Sequence, residues 1–400
     1  MKQKVVIIGH GSTSRLGIIR ALGAIGCDIT VIVMSWSKDQ SYVNTSVPFD
    51  CYSKYVNRVL FNHINNADSL ISLLLEQCKD VDQKVAILPD SDFSAAVIDD
   101  HKDILSDYFV FPYVRNEPKS VRYWMNKENQ KRLAKSIGLN VAASTTINVI
   151  NGQYSIPAGI SYPCFTKALI TTSGGGKQYF RRCNNKEELI GLLDYVATKS
   201  DTTILIEDFI NIDTEYALLG FSDGEVVYIP GVLQFLRNTQ SHFGIAMTGR
   251  IMPVKGFEPM IELFGKFVKE IGFIGVFDID FLYDGKKYYF DEMNLRFGGS
   301  GYAYTKMGIN FPAILVDYLS GNETESRKIE LKESATYVNE RMCVDDWYRG
   351  LLSTNDYYGI LRSTDISFVY DDSDPLPQKK FEKEFKRMQI KRFLKHILRR

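Results

Sequence analysis

The chain opens on a polar-free apolar run, Val5–Ile8. A turn, GHGSTSRLG, follows, then a helical stretch, IIRALGAIG, and a second apolar run, DITVIVM. A strand buried on both faces reads as an unbroken apolar run. Two such strands joined through a glycine turn and a helix make the unit of a doubly wound parallel sheet. A further strand, KVAIL at 84–88, ends at PDSD, and loops at the carboxyl ends of such strands are where these sheets hold ligands. This α/β domain is expected to span 1–118 and to close at the NEP stretch.

Beyond it the pattern changes. Asn126 is placed to cap a helix whose apolar stripe is Leu133, Ala134 and Ile137 and whose stop is Gly138. Strands are expected at 163–170 and 178–182, joined by a glycine-rich loop, then a helix capped by Asn185 with Glu188 at its third position. A strand at 203–208, a hairpin over 215–236 turning at SDGE, a helix at 258–271 and strands at 274–283 and 288–296 complete an α+β half. The stretch 370–378, YDDSDPLPQ, reads as a linker.

Composition narrows the picture. Four hundred residues exceed one ordinary core, and 45% apolar with 24% charged residues is usual for globular proteins. The zero formal charge gives no sign of a nucleic-acid binder. It is unevenly spread, since residues 379–400 hold ten Lys/Arg against two Glu, leaving −8 for the rest. Phe381, Phe385, Met388, Phe393 and Ile397 recur there at rough helical spacing. That predicts a helix packed on its own protein, with weak contact to an anionic membrane or acidic partner as the alternative. Six cysteines without a C-x-x-C pair fit reduced thiols in a cytoplasmic protein, and the first apolar run is too short for a signal peptide or a span.

Three stretches carry candidate chemistry. The turn Gly9-x-Gly11-x5-Gly17 has Ser14 where a dinucleotide fingerprint needs its third glycine, and no acidic residue closes the second strand, which disfavours a nicotinamide cofactor. Ser12, Thr13 and the helix start could instead hold an anionic group. The loop Thr171–Lys177 offers three consecutive glycines, Gly174, Gly175 and Gly176, whose bare backbone N–H groups suit a phosphate cover between Lys167 and Lys177. The third is GVFDIDFLYDGKKYYFDEMNLRFGGS, 275–300. Strand alternation puts Asp278 and Asp280 on one face of the first strand, and Glu292, Asn294 and Arg296 on one face of the second. Hard oxygen donors of this kind suit Mg²⁺, and the guanidinium suits developing negative charge. For the two sets to share a side the hairpin needs an odd-numbered loop, for instance Asp284–Lys286.

Glu292-Met-Asn-Leu-Arg-Phe-Gly-Gly-Ser resembles the E-[IM]-N-P-R signature of the ATP-grasp superfamily, with Leu295 at the proline, and Asp280 fits its upstream acidic position. The resemblance runs back in order through Asn126-Lys127 with GLNVAAS, Pro163-x-Phe165-x-Lys167, the glycine-rich loop, and Ile206-Glu207-Asp208-Phe209-Ile210, covering roughly residues 1–320. It implies a doubly wound domain at 1–118, an ATP-grasp fold of two lobes at 119–200 and 201–330, and an extension at 331–400. It also implies that Lys127 and Lys167 contact ATP phosphates under a cover of Ser173, Gly174, Gly175, Gly176 and Lys177. Glu207, Asp208, Phe209 and Ile210 would meet adenine, and Glu215, or its rival Asp213, the ribose. Asp280, Glu292 and Asn294 would hold magnesium (or manganese), and Arg296 would stabilise an acyl-phosphate. Arg237, His242 and Arg250 compete for one more phosphate contact. The implied activity is an ADP-forming ligase joining a small-molecule carboxylate to an amine. Bicarbonate activation and a non-catalytic ATP-binding module are the alternatives.

Overall fold

The computed structural model describes residues 2–35, 47–64, 66–116, 119–170, 176–199, 201–241, 244–322 and 329–398. The first unit is a parallel sheet of five strands: β1 (Lys4–Gly9), β2 (Asp28–Met34), β3 (Val56–Asn62), β4 (Val85–Pro89) and β5 (Phe109–Val110), in the order β3-β2-β1-β4-β5. Both faces are covered, which is why β1 and β2 read as unbroken apolar runs. Val5, Ile7 and Val31 pack with Ile18, Ile19 and Leu22 on one side, and Val6, Ile8 and Ile32 with Leu70 and Leu74 on the other. The short β6 (Tyr113–Val114) leaves this unit for the large sheet described below.

A small antiparallel sheet follows, from β7 (Ser144–Val149), β8 (Cys164–Ala168), β9 (Arg181–Cys183) and β10 (Thr202–Asp208), ordered β7-β10-β8-β9. The helix Lys186–Ala197 covers one face with Leu189, Leu192, Leu193 and Val196, and Asn185 caps it as its sequence indicates. The expected strand at 178–182 is shorter: Gly176–Tyr179 is a 3₁₀ turn, and only Arg181–Cys183 pairs with β8.

The third sheet has nine strands. β11 (Thr214–Asp223), β12 (Val227–Tyr228), β13 (Gly231–Asn238), β14 (Ala246–Pro253), β15 (Phe273–Tyr283), β16 (Tyr288–Asn294), β17 (Ala335–Val338) and β18 (Ile366–Ser367) join β6, along the main path β16-β15-β11-β13-β14-β17-β18. The helix Glu258–Ile271 lays Phe264, Phe267, Val268 and Ile271 on Phe277, Ile279 and Phe281 of β15. That commits one face of the sheet to core and leaves Asp278 and Asp280 on the other. The fold is thus a doubly wound unit followed by α+β lobes.

Residues 370–378 are not a linker. Asp374 is fully buried and holds Arg20 of the first unit at 3.0 Å, while the same guanidinium donates to the carbonyls of Phe368, Val369 and Asp374. A run rich in Asp and Pro resembles a linker in sequence, but here Asp374 fastens the extension to the helix Thr13–Gly23. Removing one member of a buried pair strands the other charge, so Arg20→Ala is expected to cost about 3–5 kcal/mol, read as a lower urea midpoint. An unchanged midpoint would show that this anchor contributes nothing.

Candidate active site

Asn126 caps the helix Lys127–Ser136, its side chain accepting from the amides of Glu128 (2.9 Å) and Asn129 (3.3 Å). Fixing that start puts Lys127 and Lys131, one turn apart, on a buried face together with Gln130. Gln130 clamps β16: its Oε1 accepts from Met293 N and its Nε2 donates to Met293 O, both at 2.8 Å. The residues flanking Met293 are Glu292 and Asn294.

The hairpin that carries them departs from the expected geometry. The loop is four residues, 284–287, and near it Tyr283 pairs with Tyr288 and Leu282 with Tyr289. That parity would place the acidic residues of the two strands on opposite faces. A β-bulge between Asp280 and Phe281 restores it, because the partner strand spends one extra residue, Asp291. Asp280 then stands directly opposite Glu292 and Asp278 opposite Asn294. The odd-numbered loop was therefore the wrong device for the right face. Close approach matters as well: a Cβ on Gly298 would stand 2.5 Å from the Asp278 carboxylate, so this glycine leaves room for that side chain.

Lysines from the small sheet and the helix meet these carboxylates. Lys127 is ion-paired with Glu292, and Lys167 with Asp291 and, at 3.0 Å, with Glu207; Lys131 pairs with Glu207 at 2.5 Å. Burial opposes the Lys167 charge, yet Asp291, Glu207 and Glu292 outweigh it and hold the ammonium above its ordinary value. Burial likewise works against the Glu292 carboxylate, but Lys127 and Lys167 keep it below its usual range. Among the described residues no cation is ion-paired with Asp280. Burial, then the charges of Asp278, Glu292, Asp291 and Glu215, push it well up. Arg296 joins Asp92 at 2.6 Å and donates to Asn294 Oδ1 at 3.3 Å, linking β16 to the PDSD loop after β4. There Asp90 accepts from Ser12 (3.0 Å) and Ser14 (2.7 Å), so the two strand-end loops of the first unit close one side of the cleft.

Other residues singled out in the sequence fall differently. Glu215 lies opposite Leu282, on the same face as Asp280, and accepts from Asn238 at 2.8 Å, whereas Asp213 is exposed beyond the end of the strand. The Glu207 side chain is paired with Lys131 at 2.5 Å and with Lys167 at 3.0 Å. Asp208 is exposed, the amides of Asp208 and Phe209 donate to Ala143 and Pro163, and Arg182 lies over the Phe209 ring at 4.4 Å. Of the three candidates for a further phosphate contact, Arg250 is not brought to this cleft. It pairs with Gln234, which pairs with Tyr216, so it is on the face away from Asp280, and it is exposed. Arg237 is half-buried beyond a bulge, near Cys343. Ser173, Gly174, Gly175 and His242 lie outside the described residues, as does the side chain of Lys177. Sequence reading missed Gln130, Lys131, Asp291 and Asp92. Lys131 was visible as a second lysine one turn after Lys127, but nothing in one strand announces a bulge.

The donor set fits a hard divalent cation. Among the described residues no three His, Cys, Asp or Glu side chains form a closed metal cluster. Asp280, Glu292 and the Asn294 amide form an open set, of the kind magnesium uses when phosphates and water complete its shell. Two carboxyls held above their ordinary range by burial and like charge are what an added cation would relieve. Burial foremost pushes Asp278 up to about 7. A carboxyl raised above its unfolded value contributes stability at low pH and loses it as the pH rises through the folded value. Hence, without divalent ions, Asp278→Asn should raise the melting temperature at about pH 8 more than at about pH 5. Equal shifts at both would contradict the raised value.

These features define a two-lobed α+β architecture behind a parallel-sheet unit, with a cation-lined acidic cleft between the lobes. Residues 132–311 match the sequence model of the ATP-grasp domain. The chain is similar to the carbamoyl phosphate synthase large chain of Clostridium acetobutylicum, 22% identical over 253 residues, or 59% of this chain and 23% of that one. It is also similar to the formate-dependent phosphoribosylglycinamide formyltransferase of Mycolicibacterium smegmatis, 24% identical over 192 residues, 44% of this chain and 46% of that one. The matched segments thus span less than half of either relative. Among solved structures it resembles an L-amino acid ligase from Bacillus licheniformis, with TM-score 0.60, 16% identity and coverage of 84% of this chain and 79% of that one. An N5-carboxyaminoimidazole synthetase from Staphylococcus aureus complexed with ADP gives TM-score 0.61, 16% identity and coverage of 84% and 82%. At these identities the structural likeness establishes the fold. Among the described residues no helix is long and apolar enough to cross a membrane.

Proposed function

We propose that this protein is an ADP-forming ligase that activates a small-molecule carboxylate with Mg-ATP and joins it to an amine. The observation that carries the reading is the bulged hairpin. It sets Asp280 against Glu292, with Lys127 paired with Glu292 and Lys167 paired with the bulged Asp291. Lysines paired with acids in this state are the groups that nucleotide phosphates would engage, leaving Asp280, Glu292 and Asn294 to hold magnesium or manganese. The metal, when bound, would supply charge neutralisation at the phosphates. Relatives named as ligases and synthetases share the fold, which supports the reading without fixing the substrates.

In the reaction a carboxylate oxygen of the substrate attacks the γ-phosphorus as the bond to ADP breaks. The amine then adds to the acyl carbon, and phosphate leaves as the nitrogen loses its proton. Arg296, anchored by Asp92, is placed to stabilise negative charge on the acyl-phosphate. Lys127 and Lys167 orient the phosphates, and Glu215 is the residue positioned to accept from the ribose. The two lobes exclude water that would otherwise hydrolyse the activated acid.

The test is ADP release over panels of small carboxylates and amino acids. ADP formed only when both a carboxylate and an amine are present supports the reading. Release that needs bicarbonate and no amine would favour bicarbonate activation instead; a 2-oxoglutarate carboxylase domain of similar fold is solved in complex with MgADP and the bicarbonate anion.

A further inference from the structure

The helix Pro375–Leu398 is the basic segment of the C-terminal extension. One of its faces is committed to the protein. Phe381 packs on Phe49 with ring centroids 5.5 Å apart, and Phe385 packs on Trp347 and Tyr357 at 5.0 and 5.2 Å. Met388 joins the same cluster. The Arg392 guanidinium lies 4.3 Å over the Trp347 ring and donates to the Trp347 carbonyl. Phe381, Phe385 and Met388, which gave this segment its helical spacing, are therefore spent on its own core.

The opposite face carries a second pattern. Leu376, Ile390 and Leu394 are 48%, 60% and 50% exposed. Leu376 and Leu394 stand five whole turns apart and so share one line along the helix, with Ile390 one turn before Leu394. Lys383 and Arg387 fill the same line, and Lys379, Lys386 and Lys391 flank it, all of them exposed. The two acids of the helix stand off this line and are half-buried: Glu384 pairs with Lys380 at 3.9 Å, and Glu382 accepts from Gln378 at 3.1 Å. A straight ridge about 27 Å long thus mixes apolar side chains with five cations and, among the described residues, no acid.

We propose that this ridge lies on an anionic lipid surface, in the plane of the interface. Each cation close to such a surface contributes about a fivefold gain in partitioning, an attraction that fades over about 8 Å in physiological salt. Lysine and arginine stems reach the headgroups while Leu376, Ile390 and Leu394 enter the acyl boundary. The helix is not apolar enough to cross a membrane, so the contact is peripheral. Other occupants fit less well. A nucleic acid would match the cations but leave the apolar side chains in water, and a folded acidic partner would need a groove to receive a convex ridge. A second copy would set cations against cations. The balance of the chain, at −8, is repelled by an anionic surface and turns this helix towards it. The inference is independent of the ligase reading.

The test is co-sedimentation of the full chain with vesicles of phosphatidylcholine and phosphatidylserine in equal parts, and of phosphatidylcholine alone. Binding to the anionic vesicles should be saturable, at least ~10-fold tighter than to the neutral ones, and should weaken as salt is raised. Lys383→Glu with Arg387→Glu should weaken it at least ~10-fold. Ile390→Ser with Leu394→Ser should weaken it ~10-fold at unchanged charge. All four side chains are exposed, so both variants should fold, as circular dichroism checks, and should release ADP like the unaltered protein. Poly-glutamate, titrated against the same proteins, identifies a site for any polyanion. The proposal is overturned by absence of binding to the anionic vesicles at millimolar lipid, by unchanged binding in either folded variant, or by poly-glutamate binding as tightly as the lipid.

Discussion

Glu292→Gln should lower substrate-dependent ADP release at least ~100-fold at saturating ATP and magnesium, the order of effect seen when one electrostatic stabiliser is removed. The substitution keeps the size of the side chain and most of its hydrogen bonding but removes one charge from the donor set shared with Asp280. Magnesium prefers charged hard oxygens, so the loss bears on the phosphoryl-transfer step rather than on folding. Gln130 continues to hold β16 through the Met293 backbone, so the strand should stay in place. The neutral amide also leaves Lys127 without its acid partner. Nucleotide phosphates can take that role, and Mg-ATP affinity should fall far less than turnover. Equal turnover in the two proteins would make Glu292 an ordinary surface acid.

Lys167→Ala should weaken Mg-ATP binding by ~10–100-fold, the range of one hydrogen bond to a charged group, about 1.5–3 kcal/mol. The lysine is buried at the end of β8 and paired with Asp291 and Glu207. Glu207 keeps Lys131, so one acid remains satisfied in the variant, while Asp291 loses its cation. Some loss of thermal stability is expected beside the loss of affinity. Calorimetric titration of a folded variant separates the two, and an unchanged affinity would remove the lysine from the nucleotide site.

Both residues were visible in the sequence, and the reasons differ. Lys167 stands in a P-x-F-x-K strand just before a glycine loop, and Glu292 in an E-M-N-L-R run whose alternation points three polar groups one way. Period-two patterning and short motifs survive any tertiary context. The parallel unit was equally legible, because β1 and β2 are apolar on both faces and only a sheet covered on both sides makes such runs. What a strand pattern cannot carry is register. The four-residue loop 284–287 gives the wrong parity, and the bulge at Asp291 corrects it. Arg250 could not be separated from Arg237 and His242 for a related reason. Its face is set by pairing with Gln234 across the sheet, a relation between strands and not a property of either. The segment 370–378 shows the limit of composition, since its Asp374 fastens a buried Arg20.

The central claim is that a carboxylate is activated by taking the γ-phosphoryl group of ATP. It is tested most directly by supplying the carboxylate substrate found in the ADP-release screen with both carboxyl oxygens replaced by the heavy isotope, together with the amine. Mass analysis of the inorganic phosphate then reports where one oxygen went. The account predicts one heavy oxygen in each phosphate released, because the acyl carbon–oxygen bond breaks when the amine attacks. Phosphate free of the heavy isotope, formed at the same rate as product, would contradict it.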